Sequence, residues 1–268
     1  MASQAPESLA PGLPSDTRLN LVTLENLDLD LPTDFHMHTS HTDGTATVLE
    51  MATASVAAGL KQIMYTEHVR HTSTYYPSFV EEVHSLKTAD LEVHLGIETK
   101  ILDLEGNLDC SPAIAALADG IVASVHNPPP DSEGHKRGWT DMEVETALEL
   151  EFQLAMAIVT KSKAHILGHP MGMAVTRFNQ KPLDQLSQLA SACRDSGKAF
   201  ELNPRYCADA AIWLQIVGEA GCKVSLGSDA HKTAHIARAW QVFIQGEGLP
   251  DGSYDSTTGV AIKRSTFA

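Results

Sequence analysis

The sequence predicts an α/β protein in which short parallel strands alternate with helices and close into a barrel. Two patterns predict it. Short β-like runs recur from Asp34 onward and most are followed by a helical stretch, and strict alternation of that kind calls for a parallel sheet. In addition, the end of every one of these runs carries a histidine, aspartate or glutamate. In parallel β/α barrels the C-terminal strand ends converge on one mouth, where sites are built. A length of 268 residues with 43 % apolar and 20 % charged residues suits one large globular α/β domain.

The elements are expected in the following order. Residues 1–33 form an N-terminal extension, Pro/Ser/Ala-rich at first and mobile there. The alternation of leucine with polar residues from Leu19 to Leu31 suits an edge strand, a cover for an apolar surface, or a subunit contact in a homo-oligomer. A strand over Phe35–His38 leads to a helix from Val48 to Ala58, stopped by Gly59. A strand at Gln62–Thr66 precedes a helix near Ser78–Lys87, and Glu92–Glu98 and Ile121–Val125 are the next strands. A long helix from about Asp141 to Lys163 leads to a strand at His165–Gly168. Helix Leu183–Ser196 is followed by strand Ala199–Leu202, helix Ala208–Ala220 by strand Lys223–Leu226, and a helix over Thr233–Ile244 closes the series. The domain is expected to span 34–245, with 246–268 as a Gly/Ser/Thr/Asp-rich tail.

The strand ends carry the chemistry. His36 and His38 alternate with Met37, so an extended chain points both imidazoles to one face, an arrangement suited to a metal. Asp43-Gly44 follows in a segment able to turn back. The later runs end in Thr66-Glu67-His68, Gly96-Ile97-Glu98, Ser124-Val125-His126, Gly168-His169-Pro170, Glu201-Leu202-Asn203-Pro204 and Gly227-Ser228-Asp229-Ala230-His231. A lone histidine at a strand end is more often structural. Seven successive strand ends bearing ligand-type residues argue for a shared metal site.

These motifs, in this order over about residues 34–240, resemble the PHP (polymerase and histidinol phosphatase) superfamily. The resemblance implies a distorted (β/α)7, TIM-like barrel with a metal site at the C-terminal ends of the strands. It implies three divalent ions, Zn, Mn or Fe. His36, His38, Glu98 and Asp229 would hold the first, Glu98 with His126 and His169 the second, and Asp43, His68 and His231 the third. Glu98, Asp229 and His231 are the catalytic residues expected among them. Some members carry histidine where this chain has Asp43, so His41 stands as a rival ligand, and it is also a candidate for substrate binding. Glu67 in the second motif resembles one branch of the histidinol-phosphate phosphatases.

The donor types agree with that implication. Imidazoles and carboxylates together suit Zn²⁺, Mn²⁺ or Fe²⁺. Three divalent ions against Asp43, Glu98 and Asp229 would leave roughly +3 at the mouth, a trap for phosphate. The expected reaction is hydrolysis of a small-molecule phosphate monoester, histidinol phosphate first among them, by metal-activated hydroxide attack on phosphorus. Arginine forks match phosphate oxygens, which makes Arg205, Arg177 and Arg70 the substrate-binding candidates. The turn-rich stretch 127–138 is a candidate substrate lid or a plain surface loop.

Other classes are weighed on the same residues. A phosphodiesterase or exonuclease acting on nucleotides or short oligonucleotides is the alternative enzyme reading. A net charge of −15 without a Lys/Arg cluster argues against gripping a long nucleic acid. An amidohydrolase-type barrel also opens with HxH, but it usually places a carboxylated lysine at strand four, where this chain has His126. A non-catalytic binding module would tend to have lost ligands. The N-terminus has no signal-peptide pattern, and no apolar run is long enough for a membrane span. Cys110, Cys193, Cys207 and Cys222 form no CxxC pair, and reduced thiols in a cytoplasmic protein are expected.

Overall fold

The computed structural model describes residues 19, 21–131, 133–207 and 209–248. The expectations for residues 1–18 and for most of the 246–268 tail lie outside the described residues. The strands are β1 (Val22–Thr23), β2 (Thr33–Met37), β3 (Gln62–His68), β4 (Glu92–Lys100), β5 (Gly120–Ser124), β6 (Ile166–Leu167), β7 (Ala199–Leu202) and β8 (Lys223–Leu226). They form one eight-stranded sheet in the order β1-β8-β7-β6-β5-β4-β3-β2. Every pairing from β2 to β8 is parallel, and β1 alone is antiparallel, against β8. The extra strand over the seven expected is β1, within the Leu19–Leu31 alternation.

The sheet is not closed by a continuous ladder. Among the described residues, β2 and the chain after β8 are joined in the sheet only by an isolated parallel bridge, Met37 with Ala230. The edge of β8 away from β7 is taken by β1, at Lys223 and Val224, and beyond it the join to β2 is made in part by the Asp34 side chain. Its carboxylate accepts the backbone N–H of Ser228 and of Ala237, both at 2.9 Å. A side chain thus satisfies donors that a ladder would otherwise satisfy.

Helices α1 (Val48–Ala57), α2 (Tyr76–Ser85), α3 (Pro112–Ala115), α4 (Val144–Lys161), α5 (Gly172–Phe178), α6 (Leu183–Ser196) and α7 (Ala210–Ala220) lie between the strands. A capping box starts α1: Thr47 Oγ1 accepts from Glu50 N–H, and the Glu50 carboxylate accepts from Thr47 N–H. Helix α4 buries Ala147, Glu151, Leu154, Ala155 and Ile158 at helical spacing. The short helices α3 and α5 were not expected, being too brief to show a period. The helix expected over Thr233–Ile244 is instead a 3₁₀ turn at Thr233–His235 and a π-helical segment at Trp240–Gln245. Ala237, at φ +65°, interrupts it where its N–H turns to Asp34.

The strands are buried on both faces, as parallel sheets are. Phe35, Met64, Val122, Ile166 and Ala199 make a separate inner cluster, and Leu19 and Leu21 cover it. Leu24 joins the main core. The leucine alternation therefore both adds an edge strand and covers an apolar surface. Leu19, Leu21 and Leu24 are occupied within the chain, so they are not free for the subunit contact considered above. All four cysteines are buried free thiols.

Glu151 ties α4 to the start of α5, its carboxylate accepting from Met173 N–H at 2.8 Å and Ala174 N–H at 2.7 Å. Burial pushes this carboxyl up to about 7 from its ordinary 4.5, against the pull of those donors. The native state then holds a proton that the unfolded chain has released, so stability falls as pH rises from 4.5 toward 7 and levels off above. The expected loss is about 3 kcal/mol. Urea unfolding of wild type and Glu151→Gln over that range will show the wild type losing stability relative to the variant. A difference that does not vary with pH refutes the assignment.

Candidate metal centre

The strand ends bring ligand-type side chains into mutual contact. Alternation on β2 turns His36 and His38 to one side, both fully buried. Glu98, near the end of β4, lies at the centre. Its Oε2 is 3.4 Å from His36 Nε2, 3.5 Å from His38 Nε2 and 3.0 Å from His68 Nδ1. Its Oε1 is 3.1 Å from both His126 Nε2 and His169 Nε2. Asp229 approaches from the segment after β8, with Oδ1 3.2 Å from His38 Nε2 and 3.6 Å from His36 Nε2. Asp43 Oδ2 reaches His68 Nε2 at 3.3 Å and His231 Nε2 at 3.2 Å.

Among the described residues, three groups bring ligand atoms within 4.8 Å of one another: His36, His38 and Glu98; His68, Glu98 and His126; and His38, Asp43, His68 and His231. These overlap the three expected sets, and they add His68 beside the second and His38 beside the third. All nine expected ligands belong to one contiguous cluster.

Two residues of the cluster sit in backbone conformations that L-residues rarely adopt, His169 at φ +27° and Asp229 at φ +50°. Such residues cost of order 1–3 kcal/mol each and persist where surrounding contacts over-determine them. Asp229 is held by Tyr206 and Arg205, and His169 by Glu201, fully buried at the end of β7. Its Oε1 accepts from His36 Nδ1 at 2.5 Å and its Oε2 from His169 N–H at 2.5 Å. A Cβ at position 227 would fall on the Glu201 carboxylate and against His36, so Gly227 is required by close approach.

Because Glu201 takes the Nδ1 proton, His36 presents Nε2 to Glu98 and Asp229. His231 is oriented in the same way, with Nδ1 donating to the Asp229 carbonyl at 2.8 Å. Glu201 is the functional residue missed by sequence reasoning, although its place at a strand end was visible. Glu201→Gln keeps the shape but puts an amide N–H₂ against either His36 or the His169 N–H. Metal affinity is expected to fall about 10–100-fold, measured by competition with a chromophoric chelator. An unchanged affinity counts against this role.

The electrostatics ask for positive charge. Burial pushes the His38 imidazole down to about 4, leaving it neutral, the form that ligates metals. At His68 burial also works against the charge, but Asp43 and Glu98 outweigh it and push the ring up to about 10. Glu98 is held well below the ordinary carboxylate range, its burial overcome by His126 and His36. His36 Nε2 and both ring nitrogens of His38 are buried with no hydrogen-bond partner. Each such atom costs about 1–3 kcal/mol if nothing satisfies it. Divalent cations fit this donor set: they satisfy His36 Nε2 and the one lone-pair nitrogen of neutral His38 and neutralise the carboxylates together.

The remaining predicted residues divide. Arg205 stands at the cluster, Nη1 3.4 Å from Asp229 Oδ2 with its side chain 62 % exposed. Arg70 lines the adjoining cavity of about 280 Å³, together with Asp43, His68, Val69, Glu98, Lys100, His126 and Asn127. Arg177 lies on α5, exposed, outside that lining. His41 does not join the cluster as a rival to Asp43: its Nε2 meets Glu82 at 2.7 Å and its ring packs edge-on against Phe79. Within stretch 127–138, Asp131 accepts the N–H of Glu133 and of His135, and of its described residues only Asn127 reaches the cavity lining.

Comparison with known proteins gives the following. The family model of the PHP domain matches residues 34–240. DNA polymerase/3'-5' exonuclease PolX of Bacillus subtilis is 26 % identical over 211 residues, 74 % of this chain but only 34 % of that protein. The chain thus spans about a third of that relative's length. A probable phosphatase of Thermoanaerobacter sp. is 26 % identical over 225 residues, covering 78 % of this chain and 83 % of that protein. In fold, the chain is similar to histidinol phosphate phosphatase of Lactococcus lactis, a structure complexed with zinc, L-histidinol and phosphate. That likeness has a TM-score of 0.59 at 19 % identity and covers 79 % of this chain and 92 % of that one. Among the described residues no helix is long and apolar enough to cross a membrane.

Proposed function

The chain belongs to the PHP domain family, and from that premise we propose that it is a metal-dependent phosphatase hydrolysing a small-molecule phosphate monoester. The observation that carries the reading is the cluster centred on Glu98, with its unpartnered histidine nitrogens, beside a cavity of about 280 Å³. A cavity of that size suits a small substrate. We read the sheet as a distorted barrel whose C-terminal strand ends hold the metals and face that cavity.

His36, His38, Glu98 and Asp229 would hold one ion, Glu98, His126 and His169 a second, and Asp43, His68 and His231 a third. When bound, such ions supply charge neutralisation to the phosphoryl oxygens and acidify water to near neutral pKa. The protein's own groups do the rest. Glu98 keeps five imidazoles in one place, while Glu201 and the Asp229 carbonyl set the tautomers of His36 and His231. Arg205, bonded to the protein through one arm and largely exposed, can offer its remaining N–H groups to a phosphoryl oxygen.

The test is phosphate release from a panel of phosphorylated metabolites, histidinol phosphate included, by protein loaded with Mn²⁺ or Zn²⁺, with His36→Ala as control. Release by wild type and loss in the control are expected, and no release from any ester sinks the reading. The similarity to PolX supports a second reading, hydrolysis of a nucleotide diester. Faster turnover of a diester than of the matching monoester would favour it.

A further inference from the structure

The part of the cavity wall that lies outside the proposed ligand set is cationic. Apart from Asp43, His68, Glu98 and His126, the lining consists of Val69, Arg70, Lys100 and Asn127, two cations and no carboxylate. The placement follows from strand geometry. Lys100 lies two residues beyond Glu98 on β4, and Arg70 lies two beyond His68. His68 and Glu98 are paired in register, and Val69 N–H donates to the Glu98 carbonyl at 2.9 Å. Residues i and i+2 of a strand share a face, which turns Lys100 to the side of Glu98, and Arg70, just past the end of β3, lines the same cavity.

Lys100 is held from behind. Its Nζ is 3.6 Å from Asp109 Oδ2, with Asp109 only 7 % exposed. The other Asp109 oxygen accepts from His71 N–H at 3.1 Å and lies 2.9 Å from His71 Nδ1. One carboxylate shared between Lys100 and His71 does not cancel both cations at the wall. An ammonium or imidazolium carried by a leaving group would meet like charge there, whereas an anion would find charge-assisted donors.

We propose that Arg70 and Lys100 form an anion subsite, so that the preferred substrate is a phosphate monoester bearing a second anionic group, carboxylate or phosphate, on its leaving group. This rests on the phosphatase reading above and departs from histidinol phosphate, whose leaving group is an alcohol that carries a cationic amine.

The test uses the full chain loaded with Mn²⁺ and four three-carbon phosphate monoesters that differ only at the far end: carboxylate, second phosphate, hydroxyl or ammonium. The carboxylate or bisphosphate ester is expected to exceed the hydroxyl ester in kcat/KM by about tenfold or more, mainly through KM, with the ammonium ester slowest. The larger of the two gains identifies the second group. Arg70→Met and Lys100→Met should each reduce the anionic-to-neutral ratio by about tenfold, a change that general loss of folding does not produce. Phosphate release with no preference for the anionic esters, or a ratio unmoved by both substitutions, overturns the subsite alone. No release from any of the four or from the wider panel overturns the phosphatase reading and the subsite with it.

Discussion

Glu98→Gln is expected to abolish phosphatase activity while leaving the fold in place. The two side chains have the same shape, but the amide carries no charge and only one of its ends can face a cation. Glu98 touches His36, His38 and His68 through one oxygen and His126 and His169 through the other. An N–H₂ on either side would point at groups that act as acceptors when they ligate a metal. Loss of the shared carboxylate thus weakens the first and second proposed ions together. A fall in activity of about a thousand-fold or more, roughly 4 kcal/mol of transition-state stabilisation, is expected. The metal content of loaded protein should drop by at least one ion per chain, with an unchanged far-ultraviolet circular dichroism spectrum. A variant that keeps a tenth of the activity at full metal content would rule Glu98 out as the shared ligand.

Much of this site was legible in the sequence because strands impose a period of two and parallel topology collects their ends. His36-Met-His38 is a same-face pair whatever the rest of the chain does, and Glu98, His126, His169 and Asp229 follow short apolar runs. What could not be read depends on contacts between distant segments. His41 and Asp43 lie in one turn-rich stretch, and spacing alone does not choose between them. The choice is made by Glu82, which holds His41, and by His68 and His231, which meet Asp43. Glu201 and His36 are 165 residues apart, so that partnership exists only once β2 and β7 are brought to the same site. The apolar pattern over Thr233–Ile244 is helical in period, yet Ala237 leaves the helix to reach Asp34, a demand no local pattern expresses. Lys100 follows the same pattern: the alternation that pairs His36 with His38 also places it on the face of Glu98.

Asp34 is where stability and function meet, and Asp34→Ala should be the most destabilising single change near the site. The side chain is fully buried. Besides the Ser228 and Ala237 N–H groups, it receives the His36 N–H at 3.4 Å. These bonds join β2, which carries His36 and is followed directly by His38, to the segment that carries Asp229 and His231. Only the Met37–Ala230 bridge otherwise pairs the two segments in the sheet. Burial pushes the Asp34 carboxyl up to about 6, so its charge is costly, but removing it leaves buried N–H groups without an acceptor. Each orphaned donor costs about 1–3 kcal/mol, and breaking a buried charged network typically costs 3–5 kcal/mol. A loss of about 3–5 kcal/mol is expected, lowering Tm by roughly 10 °C for a chain of this size. Since the two segments would then be free to separate, metal affinity should fall with stability, and saturating Mn²⁺ should restore part of the Tm through linkage. Asp34→Asn, which retains one acceptor oxygen, should fall between the variant and wild type. A loss below about 1 kcal/mol in Asp34→Ala would mean that the bridge and the packing around it hold the two segments together without this carboxylate.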